Sequence, residues 1–339
     1  MKKLKTKTFI GAVIVSSLLL GACEAAPPVS YDDSDPLNTV SVTDDKNNVP
    51  GAESPGNGGN TPDSDKTYRD STPVCLVCEA PGTLTDGNEY VTIDYSNHKE
   101  GYIMVNYLGT CEKVKLQITG PNAVTYTYDL RNGFAAIPLT SGDGDYSINV
   151  CENIVDSKYS IVYGSSFSLT GISEFGPYLY PNQYVFFDST KKTVAKGAEL
   201  ASTCTDEIEV VTNIYNYIIS HITYDYEKAD TVASGYISDI DEILDSNTGI
   251  CLDYAAVMTS MLRTQSIPTR LEVGYVGADM VYHAWISVYI EEVGWLNGVI
   301  QFNGKEWSLV DPTFGATTNE KKLKSYIGDG TNYSVKYIY

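Results

Sequence analysis

Apolar and polar side chains alternate with a period of two through residues 90–95, 102–107, 114–119, 124–128, 146–150 and 160–163. A strand turns successive side chains to opposite faces, so each run predicts a strand with one buried face. Turn-forming clusters separate the runs: Asp86-Gly87-Asn88, Gly120-Pro121-Asn122, Arg131-Asn132-Gly133 and Ser141-Gly142-Asp143-Gly144-Asp145. Short strands at this spacing predict an antiparallel, Ig-like β-sandwich over 73–171. A helical period then takes over at 207–220, where Ile208, Val211, Ile214 or Tyr215, and Ile218 recur on one face behind the cap candidates Thr205 and Asp206. A short helix is expected at 240–244. Another opens at Cys251, aligns Cys251, Ala255, Met258 and Leu262, and stops at Ser266-Ile267-Pro268. The period returns to two over 270–276, 284–290 and 307–311, with a hairpin turn at Asn303-Gly304 and a last strand at 333–339. Helices followed by antiparallel strands predict an α+β domain over 172–339.

The first 72 residues have neither period. Lys2, Lys3, Lys5 and Lys7 precede an apolar run, 9–20, that is short for a membrane span. This is the pattern of a signal peptide over 1–22. It ends in Leu20-Gly21-Ala22-Cys23, which resembles a bacterial lipobox. The resemblance implies cleavage before Cys23, lipidation of its sulfur, and a protein anchored at the outer face of the cell membrane. Residues 23–72 are rich in Pro, Gly, Ser, Asn and Asp and read as a disordered tether.

The net charge of -20 repels nucleic acid, so no nucleic-acid partner is expected, and cationic partners would be drawn in. Cys75, Cys78, Cys111, Cys151 and Cys204 either form one or two bridges or stay unpaired in the core; their spacing does not choose. With only three histidines, and no second close pair to complete Cys75-x-x-Cys78, no metal or other cofactor is expected. The Asp143/Asp145 loop lacks further calcium ligands and reads better as a hairpin turn. The 27 tyrosines either form a glycan-binding surface or express β-propensity with their hydroxyls kept wet.

Cys251 opens a helix, where unpaired N–H groups and the macrodipole favour a thiolate. Thiolate acyl transfer also needs a histidine to move the proton and a group to orient it. His283, at the head of a strand, and Asp311, at the end of another, are the candidates. Gly249-Ile250-Cys251-Leu252-Asp253-Tyr254-Ala255, Leu262-Arg263, Gln265-Ser266-Ile267-Pro268-Thr269-Arg270, Gly274-Tyr275, His283-Ala284-Trp285-Ile286 and Trp307-Ser308-Leu309-Val310-Asp311-Pro312-Thr313 follow in that order. Together they resemble the bacterial transglutaminase-like superfamily over roughly 206–314. The resemblance implies a papain-like core of helices packed on an antiparallel sheet. It also implies Cys251 as nucleophile, His283 as general base and acid, and Asp311 as orienting carboxylate. Tyr224, in a Tyr-Asp pair after the first helix, is the oxyanion candidate beside the Cys251 N–H. One stretch, 291–301, is longer than the family pattern and is expected to form an extended hairpin beside the cleft.

The expected activity is cleavage or transfer at peptide or isopeptide amides through a Cys251 thioester. The substrate is a protein or peptide, with cell-wall peptide as one candidate. The rival is a non-catalytic surface protein that binds through its sandwich.

Overall fold

The computed structural model describes residues 67–131, 133–233, 235–277, 280–291, 293–297, 300–302, 307–309, 313 and 333–339. The leader, Cys23, nearly all of the tether, the Asn303-Gly304 turn and Asp311 lie outside these residues.

Eight strands come first: β1 (Thr85–Gly87), β2 (Val91–Asp94), β3 (Tyr102–Tyr107), β4 (Val114–Thr119), β5 (Thr125–Leu130), β6 (Phe134–Pro138), β7 (Gly144–Val155) and β8 (Lys158–Leu169). They form two four-stranded antiparallel sheets, ordered β1-β2-β3-β6 and β5-β4-β7-β8. The alternation that predicted β4 is the alternation of burial found there: Val114, Leu116 and Ile118 are buried while their neighbours are not. Two strands escaped the sequence reading. β1 includes Asp86 and Gly87 of an expected turn, and Asp86 is held by Ser165 Oγ at 2.7 Å. β6 has two small residues, Ala135 and Ala136, where an apolar face was sought. The Asp143/Asp145 loop is a structural corner. Asp143 accepts from the N–H groups of Gly171 and Ile172, both at 2.9 Å, and Asp145 accepts from Ser168 Oγ.

The helices follow: α1 (Lys192–Ala201), α2 (Glu207–His221), then the short strand β9 (Thr223–Tyr224), α3 (Tyr226–Thr231), α4 (Ile240–Ser246), the short strand β10 (Thr248–Gly249) and α5 (Cys251–Arg263). Asp206 caps α2 by accepting from Glu209 N at 2.8 Å, as its position suggested. α1 was missed because its buried face is made of small residues. A Cβ on Gly197 would lie 3.1 Å from Met261 Cβ, so glycine lets α1 approach α5 closely. α3 is six residues long and buries only Ala229, too little for a periodic signal.

A third four-stranded sheet contains β11 (Thr269–Val276), β12 (Val281–Ile290), β13 (Gly294–Asn297) and, after the pair β14 (Ile300–Phe302) and β15 (Trp307–Leu309), β16 (Tyr333–Ile338). Its order is β13-β12-β11-β16, all antiparallel. The long stretch 291–301 is not one hairpin. β13 extends the sheet beyond β12, while β14 pairs with β15. α5 packs on β11 and β12, with α1, α2 and α4 on its remaining sides, and 12 of its 13 residues are buried. The chain is therefore an α+β core preceded by an all-β region.

Tyrosine joins the two. Tyr339, wholly enclosed after β16, meets Tyr126 and Tyr128 of β5 and Tyr184, with ring centroids 5.7, 6.1 and 4.2 Å away. Edge-on and tilted rings at these separations are favourable aromatic contacts. These tyrosines are interior packing residues rather than wet ones.

Candidate functional site

The nucleophile candidate sits where the sequence put it, at the first position of α5. The preceding residue, Ile250, has no side-chain acceptor and leaves the helix start uncapped. Asp253 supplies the cap from inside the first turn: its Oδ2 accepts from Ile250 N at 3.0 Å. Gly249 makes this possible. A Cβ there would lie 2.8 Å from Asp253 Cβ and 3.2 Å from Asp253 Oδ2. The spacing Gly249-x-Cys251-x-Asp253 is thus one steric unit, in which the glycine admits the aspartate that starts the cysteine's helix.

Asp253 is wholly enclosed, and three side chains from upstream also bind it. Lys228 Nζ donates to Oδ2 at 2.7 Å. The Tyr236 hydroxyl and Ser238 Oγ donate to Oδ1 at 2.8 and 2.6 Å. Lys228 Nζ also donates to the Tyr236 hydroxyl at 2.6 Å. Burial, followed by the Asp253 charge, pushes the Tyr236 phenol up to about 12. In the sequence Asp253 stands out only as part of the Gly249–Ala255 motif. The missing capping acceptor at Ile250 was the signal that could have found its role.

Cys251 is fully buried. Cys75, Cys78, Cys111, Cys151 and Cys204 are all free, which resolves the choice left open above in favour of unpaired thiols. Burial pushes the thiols of Cys75, Cys78, Cys151 and Cys204 up, Cys78 to about 12, which makes them poor nucleophiles.

His283 is buried in β12 opposite Gly274 of β11. It shares a face with Trp285, whose ring stacks 6.3 Å away, and with Ser287. On that face Trp285 Nε1 donates to Glu272 at 2.7 Å, and desolvation raises the Glu272 carboxyl above its usual range. Ala284, Ile286 and Val288 alternate with them and join the core cluster that contains α5.

Arg263 fixes how far α5 runs along this sheet. Its Nε and Nη2 donate to the carbonyl of Thr269, the first residue of β11, which pairs with Val288 of β12. The twelve steps from Arg263 back to Cys251 span ~18 Å of helix. The five steps from Val288 back to His283 span ~17 Å of strand. The helix and the strand thus run comparable lengths from that anchor.

Tyr224 is half-buried in β9, paired in parallel with Gly249 of β10, two residues ahead of Cys251. Its ring meets Tyr226 at 4.9 Å and Tyr254 at 6.5 Å. The other two histidines lie elsewhere. His98 Nδ1 is 2.9 Å from Tyr95 O, and His221 stacks on Tyr217 at the end of α2. Among the described residues no group of three His, Cys, Asp or Glu side chains is arranged to hold a metal ion.

Residues 194–298 match the transglutaminase-like superfamily profile, a span that runs from α1 through Cys251 and His283. The UPF0252 protein of Methanocaldococcus jannaschii is 25% identical over 222 residues, 59% of this chain and 62% of that one. A protein-glutamine gamma-glutamyltransferase of Pseudomonas aeruginosa is 31% identical over 86 residues, 22% of this chain and 11% of that one. The chain thus spans less than two thirds of either relative. The solved structure of a putative cysteine protease from Cytophaga hutchinsonii aligns with 62% of this chain and 71% of its own, at 14% identity and a TM-score of 0.32.

Proposed function

Starting from a transglutaminase-like core at residues 194–298, we propose that the protein is a thiol enzyme acting on peptide or isopeptide amides through Cys251. The observation that supports this reading is the helix start: Cys251 is the first residue of a buried helix, and His283 is a buried histidine of the strand layer on which that helix packs.

In the proposed cycle the Cys251 thiolate attacks the amide carbonyl. The C–S bond forms, and the Cys251 N–H and the Tyr224 hydroxyl stabilise the oxyanion. The C–N bond then breaks as imidazolium His283 gives its proton to the leaving amine. A water or a second amine attacks the thioester, passes its proton to His283, and releases the thiolate. Asp311 holds the imidazole in the productive orientation. No cofactor enters these steps.

Signal peptide 1–22 would direct export and be removed, and the lipid on Cys23 would then hold the enzyme at the outer face of the membrane. The tether would then let it reach protein or cell-wall peptide substrates, with the sandwich as a targeting or binding module. Incubating the reduced protein with casein and a labelled primary amine tests the chemistry. Labelled adducts indicate transfer to amines, and new peptide ends indicate hydrolysis. If the wild type gives neither above Cys251→Ala, the enzyme reading fails and the rival surface-binding reading stands.

A further inference from the structure

The aspartate that starts α5 creates an electrostatic difficulty for the proposed nucleophile. Asp253 must occupy the first turn, because Ile250 has no acceptor of its own and Gly249 leaves space for this side chain. Its carboxylate is completely enclosed and two residues from the sulfur that has to become an anion. Two like charges in a poorly solvated site oppose each other, and the second to form is disfavoured.

The partners of Asp253 divide into two kinds. Ile250 N, the Tyr236 hydroxyl and Ser238 Oγ are neutral donors that fix the position of the carboxylate. Lys228 alone brings a charge, 2.7 Å from Oδ2. Burial works against its ammonium, but the hydrogen bonds and charges of Asp253 and Tyr236 outweigh burial and hold Lys228 above its ordinary value. Its backbone is fixed as well, since Asp225 caps α3 by accepting from Lys228 N at 2.8 Å. Asp225 N in turn donates to Gly249 O at 2.9 Å, directly before the Cys251 helix.

We propose that Lys228 is a positioning residue for catalysis: by neutralising Asp253 it keeps the helix-start field positive, so that Cys251 ionises. This rests on the reading of Cys251 as nucleophile and extends it to a residue outside the triad. Lys228 acts through Asp253 and does not touch the reacting atoms. A solely structural ion pair would stabilise the fold and leave the acidity of the sulfur alone.

The test is the pH profile of alkylation at Cys251 in the reduced protein, read as the modified Cys251 peptide after iodoacetamide. Other titratable groups on the surrounding elements include Tyr224, Tyr236 and Tyr254, Asp225, Tyr226, Glu227 and Asp230 at α3, Asp239, Asp241, Glu242 and Asp245 at α4, Lys192, Lys196 and Glu199 on α1, Arg270 and Glu272 on β11 and His283 on β12. They are the same in the variants compared and cancel. Lys228→Met should move the midpoint up by about one pH unit, and Lys228→Arg should leave it near wild type. The double variant Lys228→Met/Asp253→Asn should return toward wild type, because it removes both charges. If Lys228→Met does not fold, Lys228→Gln keeps a donor without the charge and gives the same reading.

Equal midpoints for Lys228→Met and wild type would overturn the proposal, as would a double variant shifted as far as the single one. A wild-type midpoint near that of a free thiol, about 8.5, is a separate failure: it would overturn Cys251 as an activated nucleophile.

Discussion

The two ends of α5 each bury an ionised side chain of the sign the helix dipole favours, an acid at the start and a base at the end. Their surroundings differ in kind. Arg263 is enclosed by backbone: it makes four hydrogen bonds to the carbonyls of Thr269, Tyr180 and Tyr339, at 2.7 to 3.0 Å. Burial pulls its pKa down to about 9, which still leaves it charged at neutral pH. Asp253 is held mostly by side chains, of which Lys228 is still partly exposed. Backbone carbonyls cannot be exchanged by mutation and do not titrate, so the Arg263 end is a fixed anchor that ties helix, sheet and C-terminus together. Side chains can be exchanged and can change charge, so the Cys251 end can be tuned. One helix thus separates the job of holding the fold from the job of setting reactivity.

The largest expected effect breaks the anchor. Arg263→Met takes these donors from the Thr269 and Tyr180 carbonyls, while Tyr339 O keeps its bond from Leu271 N, and should cost about 3 kcal/mol or more, read as a lower denaturant midpoint. Gly249→Ala comes next. Its new Cβ meets Asp253, so strain of about 1–3 kcal/mol is expected, together with slower labelling of Cys251. An Arg263 variant that kept full stability, or a Gly249 variant that labelled at the wild-type rate, would remove the distinction between the ends.

Two carboxylates sharpen it by pH. Glu272 is buried like Asp253, but the donor it accepts from is the neutral Trp285 Nε1, and burial is the largest influence on its carboxyl. Its folded pKa is raised, so its charged form is penalised in the fold. Wild-type stability relative to Glu272→Gln should therefore fall as pH rises from the ordinary carboxyl value to the raised one. Equal pH dependence of unfolding in the two proteins would contradict this.

Asp241 of α4 gives the smallest effect. It caps α1 from outside by accepting from the N–H groups of Lys192 and Thr193 and from Thr193 Oγ1. Burial opposes its ionisation, but those bonds outweigh it and depress its pKa. Its contribution is present above the ordinary carboxyl value and is lost as pH falls through the depressed one. Asp241→Asn should cost about 1 kcal/mol near neutral pH, and the difference should vanish in acid.

Legibility in the sequence followed the range of the interaction. α2, α5, β3 and β4 are written in local periodicity and were placed to within a residue or so. The cysteine at the start of α5 and the histidine in β12 were legible from the order of motifs. α1 was not, because its face of small residues shows only once Met261 is packed against Gly197. Lys228, Tyr236 and Ser238 were not either, since they reach Asp253 across 15 to 25 residues of chain with no spacing rule to reveal them. Arg263 in a last helical turn reads as a surface cation, and only the fold encloses it.

Single-turnover acylation tests the central claim most directly. The reduced protein is mixed with an activated acyl ester and the modified peptide is identified by mass spectrometry. The account predicts a thioester on Cys251, formed at least tenfold faster than on Cys75, Cys78, Cys111, Cys151 or Cys204, and slowed strongly by His283→Ala. Acylation spread evenly over the thiols, or a Cys251 rate unchanged by His283→Ala, would contradict it.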